Sequence, residues 1–210
     1  MQMLFARHGE SQANLLHEIS NRGLKHGLTR KGRQQALTLA ERLTGRGISR
    51  IYTSPLLRAL ETAALVANRL DLEFEVTGAL REFDCGVAEG RSDPEAWQLW
   101  QSVFDAWTVR NEWEASIQGG ESLRDLQERF VPFIESLTDR FAGSGETVLC
   151  VSHGGVYWMM LPLVLANVDT QFIHARRGFD YTACIAAELR QGRLWCTEWN
   201  GTRLPEEKRT

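Results

Sequence analysis

Residues 147–151, Thr-Val-Leu-Cys-Val, are apolar on both faces and pass without a spacer into Ser-His-Gly-Gly at 152–155. Successive side chains of a strand point to opposite sides, so a strand apolar throughout must be covered from both. That is the condition of an inner strand in a parallel sheet clad with helices. The rest of the chain offers matching pieces. Short strands are predicted at 3–6 (MLFA), 50–54 (RIYTS) and 72–76 (LEFEV). Between them, Thr29 as N-cap precedes Ala36, Leu39, Ala40 and Leu43 at helical spacing, and Ser54 as N-cap with Pro55 at the first helical position opens a second helix through Ala59, Ala63 and Ala67.

Beyond the irregular stretch 78–91, Ser92, Pro94 and Glu95 give a capping-box helix start, with Trp97, Trp100, Phe104 and Trp107 on one face. A longer amphipathic helix follows, with Leu126, Phe130, Ile134, Leu137 and Phe141 in a stripe and a bend expected at Pro132. Residues 181–189 and 193–199, split by Arg-Gln-Gly-Arg, read as an edge hairpin. This order predicts a three-layer α/β/α sandwich with a mostly parallel central sheet and an antiparallel edge. With 210 residues, 43% of them hydrophobic, one domain over 1–204 is expected, carrying a helical insert at about 92–118 and a flexible charged tail at 205–210.

Lysine and arginine number 24 against 27 acidic residues, a net charge of -3, which gives no basic excess for nucleic acid. The MLFA run meets Arg7 too early for a signal peptide or a membrane span. The four cysteines, at 85, 150, 184 and 196, show no CxxC spacing and read as reduced thiols of a cytoplasmic protein.

In open α/β sheets ligands collect at the carboxyl ends of strands. That rule selects Ala-Arg-His-Gly-Glu at 6–10, Thr-Ser-Pro-Leu-Leu-Arg at 53–58 and Ser-His-Gly-Gly at 152–155. His8 and His153 each follow a strand and precede glycine, and Arg58 falls in the first turn of its helix, where the macrodipole favours an anion. With Arg7 they describe a phosphate pocket. Adjacent cations oppose imidazolium formation, so Arg7 and Arg58 would keep His8 neutral and able to act as a nucleophile. A metal site built on His8, Glu10, Glu82 and His153 is the rival, disfavoured by two arginines at the same place and by the absence of HxH or HExxH spacing.

These motifs resemble the histidine phosphatase superfamily, also called phosphoglycerate mutase-like. Arg-His-Gly-Glu-Ser with Asn14 three residues on, LTRKGRQQA at 28–36, YTSPLLRALETA at 52–63, LREFDCGVAEG at 80–90, GGES at 119–122, VSHGG at 151–155 and the closing WNGTRL follow that family's order. The resemblance implies that His8 is phosphorylated, that Arg7, Arg58 and His153 hold the phosphoryl group, and that Glu82 protonates the leaving group and then activates water. Asn14 and the Gly154 N–H would add hydrogen bonds to phosphate. It implies no cofactor and no metal. Glu10 and Glu89 read as structural, and Arg22 is a candidate contact for a substrate anion. Residues Lys25, His26 and Gly27 stand where many members carry an aspartate.

The expected activity is hydrolysis of a small phosphomonoester, in the manner of a histidine acid phosphatase. Cofactor-dependent phosphoglycerate mutase-type transfer is the alternative, and a non-catalytic phosphate-binding regulator is a second. The insert lacks the basic residues a bisphosphate intermediate calls for. Its tryptophans read as core packing, although an edge roofing the pocket would suit a ring-bearing leaving group. They would equally serve a homodimer interface.

Overall fold

The computed structural model describes residues 1–176 and 178–205. Strands β1 (Gln2–Arg7), β2 (Ile48–Thr53), β3 (Glu75–Val76) and β4 (Thr147–Ser152) form the parallel part of a sheet, and β5 (Cys184–Arg190), β6 (Arg193–Trp199) and β7 (Thr202–Arg203) its antiparallel edge. The strand order is β3-β2-β4-β1-β5-β6-β7. The expected sandwich is therefore the observed fold, and the tail beyond residue 205 lies outside the described residues. No described helix is long and apolar enough to cross a membrane.

Alternation along the strands divides the core in two. Met3 and Phe5 of β1, with Val148 and Cys150 of β4, face α4 (Pro94–Thr108), α5 (Leu123–Phe141) and α6 (Gly154–Val164). Leu4, Ala6, Leu149 and Val151 face α2 (Arg30–Leu43) and α3 (Leu57–Leu70). All six β4 residues are buried, as an inner strand covered on both sides must be. Two short helices complete the set, α1 (Gln12–Leu16) and α7 (Thr170–Ala175).

Thr29 caps α2 as expected, accepting from the Gly32 N–H at 2.9 Å. The hairpin β5–β6 turns at Gln191 and Gly192, both at positive φ, which matches the twist of paired strands. Several boundaries depart from expectation, the first hairpin strand beginning at Cys184 and not at 181 and β2 running Ile48–Thr53. The strand predicted at 72–76 shortens to Glu75–Val76, because this edge finds partners only at Tyr52 and Thr53. Helix α3 starts at Leu57 after Leu56, and Ser54 is not its cap; the Ser54 hydroxyl instead meets His153. Helix α4 is capped by Asp93 in place of Ser92, the Asp93 carboxylate accepting from the Ala96 N–H while Arg91 clamps it. Helix α5 continues through Pro132. All four cysteines are buried free thiols.

Candidate active site

The β1–β4 register sets Arg7 opposite Ser152, so the two histidines that follow come off neighbouring strands with ring centroids 5.0 Å apart. His8 is tied to β4 by its own N–H, which donates to the Ser152 carbonyl at 3.0 Å. Its Nδ1 lies 2.6 Å from the Gly9 carbonyl, and its Nε2 accepts from Arg58 Nε at 3.2 Å. A carbonyl can only accept and a guanidinium can only donate, so these partners assign the proton to Nδ1 and the lone pair to Nε2. Burial pushes the His8 pKa well below 6.5, with the Arg58 and then the Arg7 charge adding to it. The neighbouring cations thus act as expected, but desolvation outranks them.

Arg58 is buried at the start of α3 and is fixed by two acceptors from the loop after α1. One is the Ser20 carbonyl at 2.6 Å and the other Asn21 Oδ1 at 3.1 Å. Burial, first, and the Arg7 charge bring its pKa down to about 10, against the opposing pull of Glu82 and Glu89, so it remains a cation at neutral pH. Arg7 donates to the Phe179 carbonyl and lies over the Tyr181 ring, 4.4 Å from its centroid. Its Nε is buried without a protein partner, as is His153 Nδ1. An unpaired buried polar atom costs about 1–3 kcal/mol, and on Arg7, which lines the cavity, it marks a place where a polar ligand restores the balance; His153 is not part of that lining. His153 is fully buried, with Nε2 2.7 Å from the Ser54 hydroxyl.

Glu82 comes from the loop between two 3-10 turns, Gly78–Leu80 and Gly86–Ala88. Arg129 of α5 holds that loop by donating to the Gly78 and Ala79 carbonyls at 3.1 and 2.9 Å and to Glu121, whose carboxylate also takes the Asp84 N–H. The Glu82 carboxyl then docks on the N-terminus of α6, accepting from the Gly155 and Val156 N–H groups at 3.0 and 2.9 Å. A Cβ on Gly155 would stand 2.8 Å from Glu82 Oε1 and 3.0 Å from the Phe83 ring, so a side chain there would displace the carboxyl from this position. Burial raises the Glu82 pKa above 4.5, outweighing the opposing Arg58 charge and the N–H donors.

A cavity of about 210 Å³ opens over these groups. Arg7, His8, Asn14, Arg58, Glu82 and Gly154 all line it. Asn14 spends its Oδ1 on the Ser11 N–H and hydroxyl. Arg22 is not brought to this site: its side chain pairs with Asp84 at 2.7 Å and the Gly119 carbonyl at 3.0 Å, outside the cavity lining. Glu10 binds Thr29 and Lys31, and Glu89 takes the Asn21 and Cys85 N–H groups, both structural as expected. The aromatic face of α4 divides. Trp107 enters the core edge-on to Phe83, whereas Trp97 and Trp100 line the cavity. Among the described residues no three His, Cys, Asp or Glu side chains gather in a way that could hold a metal ion.

Sequence reasoning missed Ser20, Asn21, Phe179 and Tyr181 as supports of the two arginines. They lie 37 to 174 residues away from the guanidiniums they hold, and no local spacing announces them. Gly155 carried a legible signal as the second glycine after His153, though its purpose depends on where Glu82 docks.

Known proteins share this arrangement of elements. A Salmonella paratyphi B protein named probable phosphoglycerate mutase GpmB is 34% identical over 157 residues, covering 73% of this chain and 70% of its own. The solved structure of Bacillus stearothermophilus YhfR superposes with a TM-score of 0.80 at 29% identity, over 95% of this chain and 96% of that one. The alpha-ribazole phosphatase from Shigella flexneri gives 0.78 at 25% identity, over 99% and 100%. The family model for the histidine phosphatase superfamily (branch 1) matches residues 3–202, nearly the whole span that carries the sheet and its strand-end histidines, and the chain belongs to that superfamily.

Proposed function

We propose that the protein is a phosphomonoester hydrolase that works through a phosphohistidine on His8. The observation that carries this reading is the state of His8: neutral, with the Nε2 lone pair at the cavity between two arginine cations and a protonatable carboxyl on the same wall. In the first step the Nε2 lone pair forms a bond to phosphorus as the bond to the ester oxygen breaks. The departing oxygen takes the Glu82 proton. Arg58 Nε turns from Nε2 to a phosphoryl oxygen, and Arg7 Nε and His153 Nδ1 supply donors that the protein leaves unpaired. Asn14 and Gly154 line the same cavity, where the Asn14 amide and the Gly154 N–H would add donors. In the second step water gives its proton to the Glu82 carboxylate and its oxygen attacks phosphorus, returning the electron pair to Nε2.

The relatives' names include both a mutase and a phosphatase. Hydrolysis is favoured because the cations lining the cavity are Arg7 and Arg58, both committed to one phosphoryl position, which leaves a bisphosphate's second group without a partner. The chemistry calls on side chains and water alone, so it proceeds without an added metal. Incubation with a panel of phosphomonoesters including 3-phosphoglycerate and 2,3-bisphosphoglycerate, with chelator present, tests it. Release of free phosphate is the expected result; isomerised product without phosphate would establish the mutase.

A further inference from the structure

The cavity has two unlike sides. Arg7, His8, Arg58 and Glu82 form the phosphoryl side, and the rest of the lining carries Trp97 and Trp100 of α4 with Phe83, beside the polar Asn14, Glu18, Ser20 and Asn21. The tryptophans are held in place before any ligand enters. The Trp97 indole N–H donates to the His17 carbonyl at 2.9 Å, and the Trp100 ring stacks on Phe104 at 5.0 Å and an interplanar angle of 12°. Trp97 stays 36% exposed and lies 5.8 Å from Trp100. The cations of neighbouring segments sit on carboxylates: Lys25 on Glu18, Arg22 on Asp84, Arg91 on Asp93 and Glu95. Glu18 itself reaches the cavity, and among the described residues no cation other than Arg7 and Arg58 lines it, so a second negative charge on the substrate would meet a carboxylate there.

We propose that this wall selects the leaving group: the preferred substrate, on the phosphatase reading above, is the phosphate ester of an uncharged alcohol bearing a planar ring, and esters whose alcohol carries a carboxylate or a second phosphate are rejected. A flat ring gains contact area and aromatic stacking against preformed indoles at low ordering cost. A carboxylate there loses water without gaining a partner. Discrimination thus has an attractive and a repulsive component.

The test compares 2-phenylethyl phosphate with 3-phosphoglycerate, both esters of alkyl alcohols, so that leaving-group acidity does not decide the outcome. Wild-type kcat/KM should favour the phenylethyl ester by a factor of roughly 30 or more. Trp97→Ala should cut that ratio about tenfold, and Trp97→Phe should restore most of it. Trp97 is exposed enough for both variants to fold. A wild-type ratio at or below one overturns the inference while leaving hydrolysis intact, and an unaltered ratio in Trp97→Ala removes the wall from selection. If neither ester releases phosphate and His8 takes no label from either, the phosphatase reading itself fails and this inference falls with it.

Discussion

The ends of β1 and β4 lie side by side and both finish in His-Gly, yet their surroundings differ. At β1, the Gly9 carbonyl and Arg58 hold His8 as the tautomer with a free Nε2 lone pair. At β4, His153 Nε2 lies 2.7 Å from the Ser54 hydroxyl, its Nδ1 has no protein partner, and the helix that follows offers its first amides to Glu82. On the mechanism proposed above, one strand end presents the nucleophile and the other seats the acid. The identity of the residue after the strand is shared; its hydrogen-bond partners separate the roles.

The largest test of this contrast is to remove each histidine. His8→Ala should lower turnover by a factor on the order of 10⁴ or more, the scale of losing a covalent nucleophile. His153→Ala should cost about 10²-fold, as for one phosphoryl-oxygen donor, and should still form a phosphoenzyme. Equal losses, or a label that depends on His153 alone, would reverse the assignment.

Next in size is Gly155→Ala, which forces the Glu82 carboxyl off the α6 amides. An esterified alkyl alcohol should be hydrolysed about 10²-fold more slowly, with a smaller loss for a nitrophenyl ester that needs no proton. Equal losses for both esters would separate Gly155 from the acid.

A smaller effect concerns pH. His8 must be neutral to attack, and its pKa lies well below 6.5 through burial first and the two arginines second. Removing a cation makes imidazolium easier to form, so Arg58→Ala should raise that pKa and move the acid limb of kcat/KM to higher pH. Arg58→Lys, which keeps the charge, should move it less. A limb that shifts down would contradict the electrostatic role. Folding stability follows the same sign: with folded-state pKa values of His8 and His153 depressed, the unfolded chain binds more protons below about pH 6.5, so Tm should fall as pH drops from there.

Much of this was legible in the chain. The doubly apolar β4, the short apolar β1, the Thr29 cap and the Gln191-Gly192 turn are local signals, and local signals survive folding. The start of α3 was misplaced because Ser54 satisfies both a cap pattern and a distant histidine, and the distant partner prevailed. Likewise Asp93 took the α4 cap from Ser92 once Arg91 had fixed its carboxylate. Of the site, Arg7, His8, Asn14, Arg58, Glu82 and Gly154 line one cavity and His153 stands against His8 without lining it, while Arg22 went to Asp84 and the aromatic stripe of α4 split between core and cavity. The parts that fix tautomer and charge, such as the Gly9 carbonyl, Asn21 and the Phe179 carbonyl, are read only from three-dimensional contacts.

The most direct measurement is to trap the enzyme during turnover of a nitrophenyl phosphate and map the phosphoryl group. Glu82→Gln is the variant to use beside wild type, since it lacks the base for the second step and should accumulate the intermediate. The expected result is an acid-labile, base-stable label on Nε2 of His8, absent from His8→Ala. A label on another residue, or full phosphate release by His8→Ala, would contradict it.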